Sequence, residues 1–137
     1  MLVELYSILE KMQKYLDNND IIYTLSSHAP DTYERLKTEC TPNNLIVWNG
    51  ASETSIWGKE GNYLFRAFHD HIHLSYDLSF SDEDEGAVCD KSIELLKLNP
   101  SERRLMEIEI KGQLDYKNKY GDFPVDQLAF TIKALEA

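Results

Sequence analysis

The sequence predicts a mainly α-helical, single-domain bundle of five or six helices over residues 1–137, with a short irregular or extended segment near residues 43–54. Three observations predict it. Apolar residues recur at intervals of three and four through most of the chain. Pro30, Pro100 and Pro124 each stand where a helix could open. A hydrophobic content of 42% over 137 residues is enough for one buried core.

Leu2, Leu5, Tyr6, Ile8, Leu9, Met12 and Leu16 line one face of a first helix that ends near the turn Asp17-Asn18-Asn19-Asp20. IIYTLSS at 21 to 27 has strand composition but is brief. A second helix is expected over 31 to 40, opened by Pro30 and Asp31. Asn43 to Thr54 mixes turn residues with Leu45, Ile46, Val47 and Trp48, the mark of an extended connection with a buried apolar run. From Gly61 to Asp77 the positions Tyr63, Leu64, Phe65, Phe68, Ile72, Leu74 and Tyr76 predict one continuous, largely buried helix. Asp82, Glu83, Asp84 and Glu85 then precede AVCDKSIELLKL, where acids suit the positive end of a helix dipole. Asn99-Pro100 opens a fifth helix to about Lys119, and Pro124 opens the last, with Val125, Leu128, Ala129, Ile132 and Leu135 expected on its inner face.

Composition narrows the function. Twenty-four acids against fourteen bases leave a net charge of −10, which repels phosphate backbones and argues against nonspecific nucleic-acid binding. Cations or a basic host protein are the partners this charge favours. No apolar run approaches the roughly 20 residues that span a bilayer, so no membrane role and a cytoplasmic location are expected. Cys40 and Cys89 have no CxxC spacing and read as reduced structural thiols.

The chemistry concentrates in FRAFHDHIHLSYD, where His69, His71 and His73 are three of the four histidines. On a helix, His69 and His73 stand at i and i+4 and could share one divalent ion: zinc, iron, nickel or manganese. His71 points elsewhere. The order HDxxH is similar to the HExxH of zinc proteases, with the shorter Asp70 in the place of glutamate, as a ligand, an orienting group or a base. Glu109, flanked by Ile108 and Ile110, is a carboxylate in apolar company and so a candidate ligand or catalytic group, with Gln113 one turn on. Glu85 is the other candidate, because the short loop before it could return an acid to the end of the histidine helix. Arg66 could pair with Asp70 or bind an anionic substrate. Trp48, Trp57, Phe65 and Phe68 read as core, with Trp57 the one that could border a pocket.

The stretches SIWGKEGNYLFRAFHDHIH, EIKGQLDY and YGDFPVDQ resemble a family of uncharacterised bacteriophage and bacterial proteins with an HDxxH helix and downstream GQ and FPxxQ segments. The resemblance covers about half of the chain, Thr54 to Gln127. It implies that His69, Asp70, His73, Gln113 and Gln127 form one constellation, and it brings no activity or cofactor. The acidic loop EDEGA departs from the GE-type pattern of that family. Two functions compete: a small metal-dependent hydrolase, or an acidic phage-type interaction protein that binds and inhibits a host protein without catalysis. A domain without chemistry of its own is the third.

Overall fold

The apolar repeat at the N-terminus becomes α1, Leu2–Asn18, in the computed structural model, which describes residues 1–137. Leu5, Ile8, Met12 and Leu16 are its buried stripe. Ile22–Ser26 then forms β1, and Asn44–Trp48 forms β2, the two paired in parallel from Ile22 opposite Asn44 to Ser26 opposite Trp48. Between them lies α2, Tyr33–Glu39, capped by Thr32, whose hydroxyl accepts from the Arg35 amide. The predicted extended segment is therefore the second strand of a small β-α-β unit, and IIYTLSS is the first. Burial alternates along β2: Leu45 and Val47 are buried, whereas Trp48 is 47% exposed and is not the core residue its type predicts.

The predicted central helix is α3, Gly58–Ser75, three residues longer at its start than the pattern indicates. Gly61 lies inside it because α1 crosses there, where a β-carbon would meet Leu9 Cδ2 and Trp57 Cβ at 3.0 Å. α4, Asp82–Leu96, begins with the acids rather than after them, with Ser81 as its cap, and ends on Lys97 at φ 53°. α5, Pro100–Glu107, opens on a capping box between Asn99 and Glu102. It continues through a π turn, Ile108–Gly112, into α6, Gln113–Tyr120, so the predicted fifth helix is one rod with a local widening. The rods thus number six. Twenty-three buried apolar residues from α1, α2, β2, α3, α4, α5, the π turn and the connections make one core, and no helix is long and apolar enough to cross a membrane.

The last helix corrects the sequence reading. α7, Gln127–Glu136, starts after Asp126, which caps the Ala129 amide, and Pro124 sits in the preceding loop. Its buried residue is Thr131, and Leu135 packs against the core as expected, while Val125, Leu128, Ala129 and Ile132 are exposed. The predicted inner face is rotated by about one residue, roughly 100°. What turns the helix is polar: the Thr131 hydroxyl donates to Glu109 at 2.7 Å, and Arg104 donates to the carbonyls of Ala134, Leu135 and Ala137.

Candidate metal centre

α3 and α4 are antiparallel neighbours joined by a short loop, so the first turn of α4 returns beside the last turn of α3. That loop is tightly tied. Asp84 accepts from both the amide and the hydroxyl of Ser79, and Ser81 accepts from the Asp84 amide. Leu78 donates its amide to the His73 carbonyl at 2.9 Å, and its own carbonyl accepts from His73 Nδ1 at 2.7 Å. Tyr33 holds the turn from α2, donating to Asp77, which takes a left-handed φ of 50°. Glu85, one turn into α4, is thereby aimed at the last two turns of α3.

His69, His73 and Glu85 converge there as a cluster of groups able to hold a metal ion. Glu85 Oε1 lies 3.2 Å from His69 Nε2 and 2.5 Å from His73 Nε2, and the two Nε2 atoms are 3.2 Å apart. A tetrahedral shell with bonds of about 2.0–2.1 Å has edges of about 3.3 Å, which two of these three separations match. The tautomer of His73 follows from its partner. A carbonyl only accepts, so Nδ1 carries the hydrogen, and in the neutral ring Nε2 presents a lone pair to a carboxylate oxygen and to a second imidazole. Three electron-rich atoms face one point, and positive charge there, a proton or a metal ion, would offset their repulsion.

A proton supplies part of that charge in the metal-free protein. Burial opposes ionisation of Glu85, but hydrogen bonds and charge from His69 and His73 outweigh it and hold the carboxyl well below the usual carboxylate range. Burial likewise opposes protonation of His69, and the hydrogen bond and charge of Glu85 outweigh it, so the imidazole pKa is raised. His73 is only 1% exposed, while His69 and Glu85 are about one-fifth exposed. Access comes from their side. His69 and Glu85 line a cavity of about 660 Å³ together with Trp48, Arg66, Glu109 and Gln113. They also line a smaller one of about 320 Å³, with His73, Asp70, Phe80 and Lys117.

Comparison with protein-family models, curated proteins and solved structures finds no match to this chain.

The other candidates fall in different places. Asp70, next to His69 on α3, is outside the ligand cluster and lines only the smaller cavity, where burial lifts its pKa to about 6. Glu109 is also outside the cluster, and its desolvation is offset in part by hydrogen bonds from Gln113 Nε2 at 3.1 Å and Thr131 Oγ1 at 2.7 Å. The pairing of Glu109 with Gln113 one turn apart follows the sequence reading, and both line the larger cavity with Gln127. Arg66 meets no carboxylate. Its Nη1 donates to the carbonyls of Trp48 and Gly50 at 2.6 and 2.7 Å, its Nη2 to that of Ala51 at 3.3 Å, and its guanidinium lies over the Trp48 ring. Trp48, not Trp57, borders the cavity. Sequence reasoning missed Thr131, because nothing local distinguishes a threonine that faces a buried acid from one that faces water.

Proposed function

We propose that the protein binds one divalent transition-metal ion through His69 Nε2, His73 Nε2 and a Glu85 oxygen, and that it is a small metal-dependent hydrolase. One observation carries the metal: His73, which donates from Nδ1 to the Leu78 carbonyl, sets Nε2 at 2.5 Å from a Glu85 oxygen and 3.2 Å from His69 Nε2. Ligating histidines commonly donate their second N–H to a backbone carbonyl in this manner. Two imidazoles and one carboxylate suit zinc first, and iron, nickel or manganese as well. Three protein ligands leave a coordination position free, and His69 and Glu85 open it to a cavity large enough for a small substrate. Such an ion polarises a carbonyl or lowers the pKa of a bound water, which is the chemistry of hydrolysis.

The test is metal content and affinity. Elemental analysis of the purified protein and calorimetric titration with Zn²⁺ should give one ion per chain, and His69→Ala, His73→Ala and Glu85→Gln should each abolish it. Stoichiometric binding that survives all three substitutions would place the ion elsewhere. No binding in the unsubstituted protein would sink the reading altogether.

A further inference from the structure

We infer that Glu109 is the proton-transfer group of this site, and that the cavity takes an uncharged or cationic carbonyl compound, an amide or ester, rather than a phosphate ester. The inference rests on the metal-hydrolase reading above. Four features support it. Glu109 belongs to the π turn, a helical widening often found at functional sites. It is buried, yet it lines the same cavity as His69 and Glu85. Gln113 and Thr131 hold its two oxygens from α6 and α7, so the carboxyl is oriented without an ion pair. Asp70, the other acid near the ligands, directly follows His69, about 100° around the helix, and lines only the smaller cavity.

The charges facing Glu109 select the substrate. Across the larger cavity stand Glu53 from the loop before α3, Arg66 and His69 from α3, Glu85 from α4 and Asp122 from the loop after α6. α7 contributes only the uncharged Gln127 and Thr131. Arg66 is the sole permanent cation in this cavity, and carbonyls of the Trp48–Ala51 loop already occupy its Nη1 and Nη2. A phosphate dianion needs an excess of positive charge, and Arg66 with a divalent ion only balances Glu53, Glu85 and Asp122. An amide or ester does not, and Trp48, Phe65 and Phe123 supply apolar walls for its substituents.

In the reaction, the oxygen of a water molecule bonds to the carbonyl carbon while the Glu109 carboxylate takes one of its protons. The carbon–nitrogen or carbon–oxygen bond to the leaving group then breaks, and Glu109 returns that proton to the departing atom. Atoms and electrons balance without a further reactant. Burial lifts the Glu109 pKa from 4.5 to about 7, so both protonation states are populated near neutrality, as a group that accepts and returns a proton requires.

The experiment uses Co²⁺-loaded protein, whose visible spectrum reports the metal, with acetohydroxamate as a neutral carbonyl probe that binds by giving up a proton. Glu109→Gln should keep the cobalt spectrum and weaken acetohydroxamate at least roughly tenfold, the loss of one hydrogen bond to a charged group. Affinity for the unsubstituted protein should fall as pH drops through the neutral range, and the variant should lack that inflection. Inorganic phosphate should compete poorly. If Glu109→Gln does not fold, Thr131→Val decides: losing a hydrogen bond to the carboxylate should move the inflection to higher pH. An unchanged cobalt spectrum with unchanged acetohydroxamate affinity overturns the role of Glu109 and leaves the metal reading standing. Phosphate binding as tight as acetohydroxamate overturns the substrate class. Absence of a cobalt spectrum in the unsubstituted protein overturns the metal reading itself.

Discussion

His71 and His73 are two residues apart on one helix and both are buried, yet the partners of one suit a neutral ring while the other meets an accepting oxygen at each ring nitrogen. The His71 ring hydrogen-bonds the Pro42 carbonyl at 2.6 Å through Nδ1 and meets the Tyr15 hydroxyl at 3.2 Å through Nε2. A hydroxyl can serve either tautomer, so both nitrogens are satisfied with the ring neutral, and burial lowers its pKa. His73 gives one nitrogen to Leu78 and turns the other toward a Glu85 oxygen and the His69 ring, a set that could hold a metal ion. A buried histidine is thus structural when its partners complement the neutral ring, and a ligand candidate when they do not.

The largest effect that separates the two sides is loss of the ion. Replacing His69 or His73 with alanine should lower Zn²⁺ affinity by more than roughly 100-fold, since each removes one of three ligands, whereas His71→Ala should leave the affinity of the folded protein within about twofold. Calorimetry on the three variants checks this. Equal losses from all three would erase the distinction.

Stability should show the reverse order. His71→Ala deletes a buried ring and its tie between α3, α1 and the loop before β2, so urea denaturation of the metal-free protein should show a loss of about 2–4 kcal/mol. His69→Ala, at a half-buried cavity wall, should cost less than about 1 kcal/mol under the same conditions. A larger loss from His69→Ala than from His71→Ala would mean that the cluster holds the fold as well as the metal.

Helical period made this contrast legible in the sequence. Residues 69 and 73 fall on one face by spacing alone, and residue 71 on another. Glu85 was legible as a second choice, since a short loop between antiparallel helices must bring the start of one to the end of the other. The β1–β2 pairing was not, because a five-residue strand is specified by a partner 22 positions away, Asn44 for Ile22, rather than by local pattern. The π turn was equally hidden. Gly112 weakens a helix without specifying a π turn, and Phe130 packs against it only once α7 has docked. α7 misled because aliphatic periodicity pointed to Leu128 and Ile132, while the buried position went to the residue able to satisfy an acid.

Metal should stabilise the folded chain in proportion to occupancy. At 100 times the dissociation constant the gain is about 2.7 kcal/mol, so melting with Zn²⁺ should exceed melting with chelator at pH 7.5. Glu85 outweighs burial and holds the His69 pKa above the usual 6.5, so protons compete with the ion from near neutrality downward and the two curves should converge by about pH 5.5. Coincident curves at pH 7.5 would remove the difference between the His73 side of the helix and the His71 side.

The smallest expected effect sharpens the comparison at a third buried group, Glu109, whose partners complement its charge only in part. Its folded pKa is raised from 4.5 to about 7 by burial, with the Thr131 and Gln113 hydrogen bonds opposing the rise. Between those two values the folded chain binds more protons than the unfolded one, so this residue makes stability fall as pH rises, with the loss complete above about pH 7. A shift of this size corresponds to at most about 3.5 kcal/mol, and relaxation around the site lowers that to on the order of 1–2 kcal/mol. Glu109→Gln keeps the amide-sized side chain and removes the titration. Metal-free Glu109→Gln should therefore gain on the unsubstituted protein between pH 5 and pH 8 by about that amount in urea denaturation. A gain independent of pH would show that Glu109 is ionised at little cost, and that Thr131 and Gln113 satisfy it as fully as Pro42 and Tyr15 satisfy His71.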